Sequence, residues 1–156
     1  MGYKSLNQCL SDLDNKGDLR RVSEELDPDL EMASIHLDEF ARNGKAILFE
    51  NIKGSKYKAA SNLFGSLARS KFIFRDTLQI VKGLIAIKTN PISVLKNPIR
   101  TFLLALNGIY AIPKKVRFKG FSEIQIKDLP HIKCWKEDGG AFITLPQVYT
   151  EDIENP

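Results

Sequence analysis

Apolar residues first recur in this chain at helical spacing. Leu6, Cys9, Leu10 and Leu13 fall at i, i+3, i+4 and i+7, which places them on one helix face. Ser5 and Gln8 stand where a capping box would start that helix, and Gly17 where a left-handed C-terminal cap would end it. A short strand is expected over 19–23. Asp27-Pro28 then marks a second helix start, with Asp as N-cap and Pro at the first helical position. Leu30, Ala33, Leu37, Phe40 and Ala41 form its stripe, and Gly44 ends it. His36 lies beside that stripe and reads as a surface or boundary residue.

The period changes at residue 46. Ala46-Ile47-Leu48-Phe49 is continuously apolar, as in a strand covered on both faces. Lys53-Gly54-Ser55-Lys56 reads as a turn and 57–64 as the returning strand. Asn51 and Asn62 sit near the strand ends, where side-chain amides commonly support turns. Helical spacing resumes over 66–88, weakened near its end by Gly83 and broken by Asn90-Pro91. Asn97-Pro98 starts a further helix with Ile99, Phe102, Leu103 and Leu106 on one side. Past Gly120 the pattern turns extended. A strand is expected over 121–126, a turn at Asp128-Leu129-Pro130, and a strand over 141–150 that Pro146 confines to an edge or bulge. The fold class is α+β: a mixed α/β N-terminal domain followed by the first strands of a β-rich unit. The boundary is set near 113–120.

Composition narrows the picture. The 156 residues are 43% hydrophobic and 27% charged, an ordinary globular balance. The N-terminus leads straight into the first amphipathic pattern, without the apolar run of a secretory signal. No stretch reaches the roughly 18 apolar residues that span a bilayer. Cys9 and Cys134 match no metal-ligand spacing. Cys9 reads as a buried thiol, and a reducing cytoplasm is the expected compartment.

The net charge of +4 is unevenly spread. Residues 64–120 hold Arg69, Lys71, Arg75, Lys82, Lys88, Lys96, Arg100, Lys114, Lys115, Arg117 and Lys119, with Asp76 as the single acid. Such a stretch is either a solvated helix face or a surface that draws an anion. No nucleic-acid motif accompanies it, and no nucleic-acid partner is expected.

The common catalytic patterns are absent. Gly54-Ser55-Lys56 lacks the glycine spacing of a phosphate-binding loop. His36 and His131 are too far apart in sequence to form a helical metal pair, and there is no Gly-x-Ser-x-Gly elbow. The segment with most chemical content is Leu129-Pro130-His131-Ile132-Lys133-Cys134-Trp135-Lys136-Glu137-Asp138-Gly139-Gly140-Ala141-Phe142-Ile143-Thr144-Leu145-Pro146. It sets the only tryptophan beside a cysteine, then paired glycines that permit positive φ or a close approach, then an apolar run. On chemistry alone it is equally a tight turn with Trp135 as a core anchor.

That segment resembles the LP-x-x-x-C-W-x-x-D-G-G-x-F-I-T-L-P signature of UbiD-type decarboxylases, the 3-octaprenyl-4-hydroxybenzoate carboxy-lyase family. Leu48-Phe49-Glu50-Asn51-Ile52-Lys53-Gly54-Ser55 with Ser61-Asn62-Leu63-Phe64-Gly65 is similar to the family's paired-strand segment. Tyr3-Lys4-Ser5-Leu6, Gly17-Asp18-Leu19 and Glu25-Leu26-Asp27-Pro28-Asp29 are similar to its start. The resemblance implies an N-terminal α/β domain over 1–116 and the opening of a split β-barrel flavin-binding domain over 117–156. It also implies a non-oxidative lyase acting on aromatic or α,β-unsaturated carboxylic acids. The cofactors implied are prenylated FMN, Mn²⁺ and a monovalent cation, and the full-length assembly implied is a homo-oligomer. Thr144 resembles a position close to the flavin. The family's metal-binding, flavin-phosphate and acid–base motifs are expected after Pro156, so no catalytic or metal residue is assigned. The chain alone is expected to be inactive. The alternative is a stand-alone binding or assembly module built on the same N-terminal domain.

Overall fold

The computed structural model describes residues 2–89, 98–99, 102–103, 106, 124–145, 150 and 152–154. The expected strand over 121–126 and connector at 113–120 lie largely outside them. The chain divides into two compact units, one of Met1–Asp18 with Phe64–Glu123, the other of Leu19–Leu63 with Ile124–Pro156.

The first unit begins with α1 (Leu6–Asn15). Ser5 Oγ accepts from the Gln8 N–H at 3.3 Å, while Gln8 Oε1 takes the Lys4 N–H at 2.9 Å. The return bond of the expected capping box therefore lands one residue early. Cys9, Leu10 and Leu13 are buried, and Leu6 is half exposed. Gly17 at φ +77° closes the helix, with Asp18 N–H bonded back to Leu13 O at 2.8 Å, a Schellman-type end that needs the left-handed region.

The second unit is built on a three-stranded sheet ordered β1 (Leu19–Leu26), β2 (Ala46–Ile52), β3 (Ala59–Ser61). β1 and β2 run parallel, joined through α2 (Glu31–Ala41), and β3 returns antiparallel. A register shift between Val22 and Glu25 lets Leu26 pair with Ile52. β2 is central, and its first four residues are all buried, as the continuous apolar run predicts. β3 is shorter than expected. Asn62 adopts φ +55° and turns its Nδ2 to Lys45 O at 2.8 Å, so the strand stops there. The core is Val22, Leu26, Met32, Ile47, Phe49 and Ile52, with Ile35, Ala59 and Ile132 packed against it.

α2 departs most from the sequence pattern. It starts at Glu31, not at Pro28, because the groups that would begin it are used elsewhere. Asp27 Oδ1 accepts the Asp29 N–H, and Asp27 Oδ2 holds Lys53 Nζ at 2.8 Å. Leu30 precedes the helix at φ +70°. The face turned inward carries Met32, Ala33 and Glu39, leaving Leu37 and Phe40 about half exposed.

Back in the first unit, the helix expected over 66–88 is two helices, α3 (Leu67–Ile73) and α4 (Arg75–Thr89). They are separated at Phe74, whose φ and ψ of −98° and 15° leave the helical region; its ring stacks on Phe64 at 5.7 Å. Ser66 caps α3 by accepting the Arg69 N–H. Arg69 is 1% exposed, and its guanidinium donates to Asp18 Oδ1 at 3.2 Å. Arg75 donates to Tyr3 Oη and Asp12 Oδ2 and lies over the Phe72 ring, tying the start of α4 to α1.

Candidate functional site

The segment from 124 to 145 is held to the rest of the second unit chiefly by backbone pairing with the connection between β1 and α2. Lys133 donates its N–H to Pro28 O and accepts the Leu30 N–H, both at 3.1 Å. Leu30, which makes this bond, sits at φ +70°, a conformation that L residues hold when the surroundings determine it. Ser55 Oγ donates to Asp128 O at 3.0 Å. Ile132 bridges Phe142 through two antiparallel bonds of 3.0 and 2.9 Å and places its side chain against the core. His131 Nε2 lies 2.6 Å from Ile126 O, across the short 3-10 turn Ile126–Asp128.

Asp138 organises the Cys-Trp turn. Its Oδ2 accepts the N–H groups of Cys134 and Trp135 at 3.1 and 2.9 Å, and its own N–H returns to Trp135 O. This satisfies four backbone groups that the irregular turn would otherwise leave to solvent. Gly139 and Gly140 adopt no positive φ, and a Cβ at either would meet nothing within 4 Å. Neither freedom expected of the paired glycines is used. Trp135 is 62% exposed, so it is not a core anchor here. Of the strand expected over 141–150, Phe142 forms only an isolated bridge and Thr144–Leu145 a bend, with Leu145 at φ +54°; the 146–149 part lies outside the described residues. Thr144 is exposed in that bend.

The electrostatics next to this segment are those of paired surface carboxylates. Lys53 and the Asp29 N–H hold Asp27 below the ordinary carboxylate range. Glu50 is likewise held down by Lys58 and Ser23. Burial pushes Glu39 up, but bonds from Arg20 and the Lys45 N–H, with the Arg42 and Arg20 charges, bring it below the usual value. His36 Nδ1 lies 2.6 Å from Ser61 Oγ and its ring stacks on Phe40, a boundary position as expected. Among the described residues no group of three or more His, Cys, Asp or Glu is placed to hold a metal. Thr144 is exposed, and the residues that follow Leu145 as far as 149 lie outside those described.

The 3-octaprenyl-4-hydroxybenzoate carboxy-lyase N-terminal domain model matches residues 10–88. The chain belongs to the UbiD family. The Rift-related domain model of the same carboxy-lyase matches 111–156, so the clamped segment lies in the second matched region. An uncharacterized protein of Chlamydia caviae is 35% identical over 162 residues, covering 97% of this chain and 27% of that protein. A protein of Aquifex aeolicus, also uncharacterized, is 35% identical over 174 residues, covering 99% of this chain and 35% of its own length. A Chlamydia pneumoniae protein named as a 4-hydroxybenzoate decarboxylase component is 36% identical over 80% of this chain and 22% of its own length. This UbiD-family chain thus spans between 27% and 35% of the length of its first relatives. Among solved structures, vanillic acid decarboxylase of Sedimentibacter hydroxybenzoicus in open form is 34% identical over 46% of this chain and 16% of that one, with a TM-score of 0.44. The assignment rests on the sequence matches, not on that overlay.

The Lys133 clamp is the part of the site that sequence reading misses. Its only trace in the sequence is Asp27-Pro28-Asp29, which reads first as a helix start.

Proposed function

We propose that this chain is the N-terminal part of a non-oxidative carboxy-lyase acting on aromatic or α,β-unsaturated carboxylic acids. The observation that carries this reading is the Cys134–Leu145 signature, lying in the match to the carboxy-lyase Rift-related domain and joined through Lys133 to residues 28–30, which lie in the match to the N-terminal domain. In such an enzyme the C–C bond to the carboxylate breaks, CO₂ leaves and a proton takes its place. Prenylated FMN supplies the electron-accepting chemistry in this reading, with Mn²⁺ and a monovalent cation near its phosphate. This chain's own share is structural: residues 1–116 form the α/β domain, 117–156 open the flavin-binding barrel, and Asp138 shapes the turn that brings Thr144 towards the cofactor.

In this reading the metal-binding and acid–base residues belong to the family's later motifs, so the chain alone should not turn over substrate. The working enzyme is proposed to be a cytoplasmic homo-oligomer that completes its site with the family's later motifs. The test is release of CO₂ from aromatic and acrylic acids with prenylated FMN and Mn²⁺ supplied. This chain should stay at background, and joining it to the remaining length of its Chlamydia caviae relative should give turnover. Turnover by the chain alone, or none from the joined protein although it folds and holds flavin, overturns the reading.

A further inference from the structure

Four described residues other than glycine have positive φ. Asn43 and Asn62 are of a type that tolerates it, and Leu145 closes the described segment; Leu30 stands between β1 and α2. Its φ is +70° and its ψ −31°, and the Glu31 N–H bonds across it to Asp29 O at 2.9 Å. This is a γ-turn close to the rarer, strained form, with leucine at its centre. Such strain persists where surrounding bonds hold it.

Two sets of bonds hold Leu30. Within the loop, Asp27 Oδ1 accepts the Asp29 N–H at 2.9 Å and Glu31 Oε2 accepts the Asp27 N–H at 2.7 Å. Both lie in solvent, where water competes for the same groups. From outside the loop, Lys133 takes the Leu30 N–H and gives its own N–H to Pro28 O. These three residues are half-buried, so the outside pair has the firmer hold.

The segment that carries Lys133 has few other ties. No residue of 124–145 is buried. Ile132 packs against the core and Ser55 Oγ donates to Asp128 O, while Ile126, Trp135, Phe142 and Leu145 are at least half exposed. The strain in one such residue is of the same order as the net return from two backbone bonds. Bonded and released forms therefore lie close in energy.

We propose that Leu30 and Lys133 form a strained latch. When it opens, the two backbone bonds break together, Leu30 relaxes to negative φ, and the segment bearing the Cys134–Trp135 turn stays tethered by Ile132 and Ser55. The Ile132–Phe142 bonds lie within that segment and move with it. The latch stands whether or not the decarboxylase reading holds.

The test is native-state hydrogen exchange of the full chain, followed residue by residue by NMR. The amides of Leu30 and Lys133 should share one protection factor, at least about a hundredfold below that of the β2 amides. Leu30→Gly fits the turn without strain, whereas Leu30→Ala removes the side chain and keeps the strain. Both amides should be about tenfold better protected in Leu30→Gly than in Leu30→Ala, and better protected than in the parent chain. Protection equal to that of β2 would show that the pair opens only with global unfolding and would overturn the latch. Separate protection factors at the two amides would overturn it too. Equal protection in the glycine, alanine and parent chains would assign the strain to the Asp27 and Glu31 bonds of the loop, leaving Leu30 strained in both forms and no latch.

Discussion

Gly44→Ala should be among the most damaging single-methyl additions to the second unit. A Cβ at Gly44 would stand 2.1 Å from Glu39 Oε1, 2.6 Å from its Cδ and 2.9 Å from its Cγ. The end of a flexible side chain can often swing away, but this one is held. Glu39 is 7% exposed; its carboxylate takes Arg20 at 2.8 Å, the Lys45 N–H at 2.9 Å and Arg42 at 3.5 Å. Displacing it loses charge-assisted bonds worth roughly 1.5–3 kcal/mol each and strands the Lys45 amide at the entry to β2. Against this, alanine restricts the unfolded chain and returns about 0.4–1 kcal/mol. The net loss should be about 2–4 kcal/mol, or a Tm lowered by roughly 4–16 °C at about 2–4 °C per kcal/mol for this chain length. Thermal and urea unfolding of Gly44→Ala, Glu39→Ala and the double variant form the assay. With the carboxylate gone, Gly44→Ala should be neutral or mildly stabilising. A loss from Gly44→Ala that persists undiminished in the Glu39→Ala background would refute the collision, as would a single variant within about 0.5 kcal/mol of the parent.

Glu39, Asp12, Asp27 and Glu50 all titrate below their ordinary values in the folded chain, so the unfolded chain binds more protons in that range. Stability is therefore fully present above the usual carboxylate pKa of about 4 and is lost as pH falls through the lower folded values. Glu39→Gln should flatten part of that acid-side slope in urea titrations at stepped pH. Arg69→Ala should cost about 1–3 kcal/mol, because it removes a buried guanidinium bonded to Asp18, and Arg69→Lys should recover only part of this loss by chemical unfolding. Asp138→Ala should leave global stability within about 1–2 kcal/mol but speed hydrogen exchange at the Cys134 and Trp135 amides; unchanged exchange there would remove Asp138 from its role in the turn.

What can be read from the sequence follows from how local its cause is. α1, its cap and its Gly17 end depend on neighbours within five residues, and β2 announces itself by a run that only a doubly covered strand needs. The start of α2 is not legible in this way, because Asp27 and Pro28 are bonded to Lys53 and Lys133, partners 26 and more than a hundred residues away that no local pattern reveals. Phe74 divides what reads as one helix, since helical periodicity continues across a single non-helical residue. In the signature segment the turn is legible but its cause is not. The two glycines suggest the turn, while the Asp138 carboxylate does the holding. The exposure of Trp135 depends on what packs there and is invisible in composition.

The most direct test of the proposed function is native mass spectrometry of this chain, purified from cells that co-produce a flavin prenyltransferase. The account predicts a bare polypeptide mass, because in the proposed function the residues that hold the flavin phosphate and metal come from the family's later motifs. A retained flavin mass, lost on Thr144→Ala or not, would contradict it and place the cofactor's holding residues within these 156.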